Sequence, residues 1–222
     1  MAVIRSSRRP RGTVRRGRRS LGRLPWSRLP RPVRWLALLL AIGAAILEGR
    51  ESELMRPLAQ PYGRDLYAHW LDGDGDCRDT RQDILARDSL EPVRWDAGGC
   101  RVAAGRWRDA YTGEVFTDPA ALDVDHLVPL KEAHRSGADA WDAARRAAFA
   151  NDPGNLLTVS ASANRSKGDG DPLAWLPPAW GARCAYTRHF TGVKAAWGLT
   201  QDPLEGVFTD AVLGLCRRLS GV

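Results

Sequence analysis

None of the four cysteines in this 222-residue chain sits in a CxxC pair, which argues against a zinc knuckle. Acidic residues are missing from residues 1–34, which carry twelve arginines. Long apolar runs are missing too. The uninterrupted stretch Trp35–Leu47 is thirteen residues, short of the roughly 20 that a bilayer span needs. No internal repeat is visible, so a stacked array is excluded. No reader helix or zinc finger stands out, which favours non-specific over sequence-specific handling of any nucleic acid.

The formal net charge of +7 belongs to the tail. Without its twelve arginines, residues 35–222 hold 21 basic against 26 acidic residues. Such a body must bind a polyanion through a local basic patch and a metal rather than a global field. The tail 1–34 reads as a disordered, solvated arm, or as a contact for anionic lipid or nucleic acid. Arginines ahead of Trp35–Leu47 orient the N-terminus toward the cytoplasm. The apolar stretch fits a signal-peptide core. However, Glu48-Gly49-Arg50-Glu51 follows where a small-x-small cleavage site would stand, so an uncleaved signal anchor is the alternative. Arg18-Arg19-Ser20-Leu21 lies too far from the apolar run for a twin-arginine signal. Export makes disulfides the expected state of Cys77, Cys100, Cys184 and Cys216. Three pairings exist. Two local pairs, Cys77–Cys100 and Cys184–Cys216, would each close a short loop and stabilise by about 3–4 kcal/mol. Four buried free thiols are the alternative.

Residues 48–61 read as a linker with Pro57 and Pro61, and the folded domain is expected over 62–222. Arg64–Leu71 and Thr80–Ser89 read as short helices. Between them Asp72, Asp74 and Asp76 imitate the start of a calcium loop. Cys77 stands where that loop has glycine and Asp83 where it has glutamate, so the stretch reads as an acidic turn. Cys100–Ala103, Arg106–Asp109 and Leu122–His126 read as strands, and Tyr111–Phe116 as a turn and strand. Pro129 is placed to start a helix Leu130–Arg135. Asp139–Phe149 is a longer helix with Trp141, Ala144, Ala148 and Phe149 on one face. Leu156–Val159 is a strand, and Ser160–Lys167 a helix capped by Ser160 or Ser162. Arg183–Trp197 and Pro203–Leu219 read as closing helices.

Residues 122–167 carry the chemistry. Their order places Asp125 and His126 near a strand end and Asn155 at the entry of the next strand. Asn164 and Lys167 fall three apart on one helical face. Phosphodiester hydrolysis needs an activated water and relief of charge on the phosphate. A neutral histidine can take the proton from water. A divalent metal can meet the developing charge. Asp125 and Asn164 offer hard oxygen, suited to Mg2+ or Mn2+ rather than zinc. Lys167 is a point charge for a phosphate. Each residue alone has a bland reading: a common dipeptide, a turn asparagine, a solvated amide, a lysine suited to a helix end. Their joint order is what points to a site.

DHLVPL followed by NLLTVSASANRSKGD resembles the HNH (His-Me finger) endonucleases. The closer resemblance is to secreted proteins related to the C-terminal nuclease part of GmrSD restriction enzymes. GDCRDTRQDILARD, DAYTG, FANDPGNLL, DPLAWLPP and RCAYTRHFTGVKAAWGL look like that family's blocks, over roughly 62–218. The resemblance implies an α+β fold: a ββα-metal core with flanking helices and a short N-terminal hairpin region. It implies that Asp125 is a metal ligand, His126 the general base, and Asn155 the residue tying the loop to the histidine strand. It implies that Asn164 is the helix metal ligand and that Lys167 contacts phosphate. Aspartate at the first position, where many relatives have histidine, is a variation within the resemblance.

His134 reads as surface or near-site, His69 and His189 as structural, and Glu132 as a distant candidate for the metal. Trp141, Trp175 and Trp197 read as core. Arg165 reads as a phosphate contact or a solvated side chain. The expected activity is metal-dependent cleavage of DNA by a secreted or membrane-anchored monomer. The alternatives are a non-catalytic extracellular binding module on an inert HNH scaffold, and a nuclease acting on RNA.

Overall fold

Leu122–His126 (β5) and Leu156–Ser160 (β6) form an antiparallel pair in which Asp125 faces Leu157 and His126 faces Leu156. The seven-residue helix Ala161–Lys167 follows β6 directly and packs on both strands. Its start is set by Ser160, whose hydroxyl accepts from the Ala163 amide at 3.3 Å. Its end is set by Gly168 at φ +57°, a conformation that glycine adopts at no steric cost. A computed structural model describes residues 58–219. The expectations for the tail 1–34, the stretch 35–47 and linker residues 48–57 lie outside the described residues.

Ahead of this unit come helix α1 (Thr80–Asp88) and two short hairpins, Arg94–Trp95 (β1) with Val102–Ala104 (β2) and Trp107–Arg108 (β3) with Val115–Phe116 (β4). Between β5 and β6 lie α2 (Leu130–Arg135) and α3 (Ala143–Ala150). The helix Ala161–Lys167 is α4, and α5 (Arg183–Trp197) and α6 (Pro203–Leu219) close the domain. Small antiparallel sheets and helices together make an α+β fold, as expected.

Two cores flank the β5–β6 pair. Leu122, Val124 and Leu156 pack with Ile84, Leu85, Val102 and Trp107. The Trp107 indole is satisfied by the Leu85 carbonyl at 2.7 Å. Gly105 permits that seat, because a Cβ there would lie 2.6 Å from the Trp107 ring. On the other side Val159 and Ala163 join Tyr67, Tyr111, Phe149, Tyr186 and Phe190. Trp141, Trp175 and Trp197 pack partly buried against this second core, as expected.

Disulfides join Cys77 to Cys100 and Cys184 to Cys216, the two local pairings, with Cα–Cα distances of 5.3 and 5.8 Å. The first ties the acidic turn to the β1–β2 hairpin; the second clamps α5 to α6. No helix among the described residues is long and apolar enough to cross a membrane.

Three local expectations change. Arg64–Leu71 is not a helix: only Arg64–Leu66 makes a 3-10 turn. Tyr67 then drops fully into the core and Trp70 adopts φ +59°, which no helix accommodates. The long helix over Asp139–Phe149 is broken, with a 3-10 turn at Ala138–Ala140 and α3 restarting after Asp142, which caps the Arg145 amide. Ala144 and Ala148 are exposed, whereas Arg146 is buried because its guanidinium donates to the Leu66 and Trp141 carbonyls. Finally, Ala59 and Gln60, assigned to the linker from sequence, already hydrogen-bond to Asp139, at 2.7 and 3.1 Å.

Candidate functional site

The end of β5 and the middle of α4 open on one polar cleft of about 370 Å³. Asp125, His126 and Asn164 line it, together with Tyr62, Arg64 and Lys131.

His126 is 5% exposed and held by one nitrogen. Its Nε2 lies 2.8 Å from the Ala150 carbonyl, which can only accept. Nε2 therefore carries the proton, and Nδ1 is left as the lone-pair nitrogen. The rings of Trp70 and His69 stand 5.7 and 6.2 Å from the imidazole. Burial pulls the ring down from its ordinary 6.5 to about 3, and the Ala150 carbonyl opposes this; the cations of Arg64 and Lys167 lower it further. His126 is therefore neutral at physiological pH.

Asp125 is buried and bonded from two sides. The Tyr111 hydroxyl donates to Oδ2 at 2.7 Å. The Lys167 ammonium lies 2.8 Å from Oδ2 and 3.1 Å from Oδ1. It also donates to the His126 carbonyl at 2.8 Å. Burial raises the Asp125 carboxyl above its usual range, and burial lowers Lys167; their mutual attraction opposes both shifts. Burial and the Asp125 charge together push the Tyr111 phenol well up. Lys167 was expected to meet a phosphate. Its side chain is instead fully buried and bound to Asp125, so it shapes the carboxylate rather than facing the cleft.

Asn155 is fully buried just before β6. Its Oδ1 accepts from the Val128 amide at 2.8 Å and its Nδ2 donates to the Val128 carbonyl at 3.2 Å. The backbone adds Leu127 N–H to the Asn155 carbonyl, at 2.8 Å. The loop leaving His126 is thus fixed at two successive residues. Asn164 donates from Nδ2 to Asp123 Oδ2 at 3.0 Å, which leaves its carbonyl oxygen as the atom available to a cation.

This donor set fits a hard divalent metal. A carboxylate has about four lone-pair positions. Lys167 and Tyr111 engage three on Asp125, leaving one on Oδ1, and the Asn164 oxygen lines the same cleft. Two other acidic groups gather among the described residues, Asp72–Asp74–Asp76 and Asp171–Asp202–Glu205. In the first, carboxylates accept from the amides of Gly75, Asp76, Cys77 and Arg78, as an acidic turn does. In the second, Lys194 occupies Glu205 at 2.6 Å.

Residues weighed at the margin fall elsewhere. Glu132 is bound by Lys194, Arg135 and Ser136 and does not reach the cleft. His134 is not at the surface: it is fully buried between the Tyr67 hydroxyl and the Gln60 carbonyl, its ring 5.5 Å from that of the cleft-lining Tyr62. His189 contacts the Gly154 carbonyl. Arg165 is exposed and does not line the cleft. Sequence reasoning missed Tyr111, Asp123 and Arg64. Tyr111 lies within the DAYTG block, so the block itself was a signal; Asp123 and Arg64 left none.

A neutral imidazole, a held carboxylate and an amide in one polar cleft of an α+β domain make a candidate hydrolytic site. The chain belongs to the family described as GmrSD restriction endonucleases, C-terminal domain, which it matches over residues 79–203. It is 36% identical over 157 residues to a protein of Arthroderma benhamiae named "Uncharacterized secreted protein", covering 70% of this chain and 76% of the relative. No solved structure matches the chain.

Proposed function

We propose that this protein is a metal-dependent endonuclease that hydrolyses phosphodiester bonds in DNA. The observation that carries the reading is the orientation of His126. Its Nε2–H is anchored on the Ala150 carbonyl, and it lines the same cleft as Asp125 and Asn164. Membership of an endonuclease family supports the same reaction class.

β5, β6 and α4 then form the ββα-metal core. Asp125 and Asn164 would hold Mg2+ or Mn2+, which supplies neutralisation of charge on the scissile phosphate. His126 Nδ1 accepts a proton from the water that attacks phosphorus, while Nε2–H stays on the Ala150 carbonyl and fixes the ring. An imidazole held near 3 is a weak base in the free cleft. A phosphodiester anion entering the cleft raises it, while a divalent cation bound there lowers it. Lys167 and Tyr111 hold the Asp125 carboxylate in one orientation. Asn155 holds the loop that carries His126. Two disulfides, the apolar stretch Trp35–Leu47 and the name of the Arthroderma benhamiae relative support action outside the cytoplasm.

The test is cleavage of supercoiled plasmid, single-stranded DNA and RNA by the full chain, with Mg2+ and with chelator. DNA is expected to be cut only with metal. Cleavage of RNA alone would replace the substrate, and no cleavage of any polymer would contradict the reading.

A further inference from the structure

We propose that Arg64 is the cation that receives the scissile phosphate, and that His69 positions it. The inference rests on the nuclease reading and adds a residue outside both the ββα unit and the family match.

Cations near the cleft differ in what they already hold. Lys167 is buried against Asp125. Lys131 is 2.8 Å from Asp169. Arg135 is bound to Glu132 and Asp169, at 2.8 and 3.1 Å. Arg64 lines the cleft, is exposed, and forms no ion pair with a carboxylate among the described residues. A guanidinium with free N–H groups beside an imidazole, a carboxylate and an amide is suited to two phosphate oxygens.

Its nearest polar partner is His69. The His69 Nδ1 lies 2.7 Å from the Tyr67 carbonyl, so Nδ1 carries the proton and Nε2 is the acceptor. Arg64 Nη2 approaches that Nε2 at 3.5 Å. This histidine offers direction without competing charge, unlike the carboxylates that hold Lys131 and Arg135.

The segment is anchored for such a role. Tyr67 is fully buried and bonded to His134. Arg146 donates to the Leu66 carbonyl at 3.2 Å. Asn151 donates to the Ala68 carbonyl at 2.8 Å and accepts from the Leu71 amide at 3.1 Å. Asn151 directly follows Ala150, whose carbonyl holds His126, so one short stretch fixes both the imidazole and the wall bearing Arg64. The left-handed Trp70 inside this segment is the kind of held outlier that clusters at functional sites.

The probe is a dinucleotide with one phosphodiester, so the arginine-rich tail adds no multivalent attraction. Binding is measured calorimetrically with Mg2+ on the full chain carrying His126→Ala. Arg64→Ala is expected to weaken Kd about tenfold, and Arg64→Lys to recover part, because a point charge does not reproduce the fork. His69→Ala is expected to weaken Kd about threefold and to have no further effect on top of Arg64→Ala, whereas a purely structural role would add. His69→Gln, whose amide oxygen can accept from Arg64, should recover part of the loss. Unchanged Kd in Arg64→Ala, with a wild-type melting curve, would overturn the assignment. The nuclease reading is judged apart from this, by cleavage of plasmid by the wild-type chain.

Discussion

Lys167 and Lys194 are both buried ammonium groups bound to carboxylates, yet only one of them serves the cleft. Lys194 bonds Glu132 at 2.8 Å and both oxygens of Glu205 at 2.6 Å. Neither carboxylate lines the cleft, and burial raises Glu205 against the pull of Lys194. Lys167 bonds a single carboxylate, Asp125, which lines the cleft beside His126. The first arrangement joins α2, α5 and α6 and has no atom left for a ligand. The second leaves one lone-pair position on a carboxylate next to a fixed imidazole. Burial and ion pairing alone therefore do not mark a site; a spare acceptor position beside a cleft does.

The comparison predicts opposite phenotypes. Lys194→Met leaves buried Glu205 without its cation, while Glu132 keeps Arg135, and should cost about 3–5 kcal/mol of stability. Urea unfolding would show it, and the fraction that remains folded should cleave at the wild-type rate. An unchanged midpoint would remove the structural half of the contrast.

The pH response should follow the His126 imidazole. The His126 imidazole sits near 3 in the folded state and near 6.5 in the unfolded chain, so the unfolded chain binds the proton first. Stability from this group is complete above about pH 6.5 and is lost as pH falls toward 3, by about 3 kcal/mol at pH 4. His126→Ala should flatten that part of the stability profile relative to wild type. Parallel profiles would mean that the ring is not held neutral.

Lys167→Met should cost less stability than Lys194→Met, because Asp125 keeps Tyr111 and can take up cleft water. Its cost should appear in catalysis, as a fall in kcat of about 100-fold, the scale of losing one electrostatic contact at a reacting centre. Tyr111→Phe removes a single hydrogen bond to the same buried carboxylate and should lower kcat about tenfold, at a stability cost of about 1–3 kcal/mol. Equal stability losses for the two lysine variants, with activity intact in both, would erase the distinction between the two clusters.

Much of this unit is legible in sequence because it is nearly contiguous. β5, β6 and α4 were placed almost to the residue, since strand alternation, the Ser160 cap and the Gly168 stop are local signals. Asn155 could be placed at the entry of β6 from sequence, but its hold on the loop came only from the family resemblance. What failed was long-range. Nothing local tells that Lys167 turns back on a carboxylate 42 residues away, or that Tyr111 reaches it across 14. The segment Arg64–Leu71 looked helical by pattern. Tyr67 and Trp70 take their conformations from packing that the pattern does not contain, and so Arg64 stayed hidden. Glu132 and His134 looked available for the same reason: their partners lie on distant elements.

The central claim is that a neutral His126 activates water beside a cation held by Asp125 and Asn164. Its most direct test is the rate of supercoiled-plasmid cleavage by the full chain in Mg2+, with and without His126→Ala. Metal-dependent cleavage by the wild type is expected, with a loss of at least about a hundredfold in the folded variant. Cleavage that persists in the variant at the wild-type rate would contradict it.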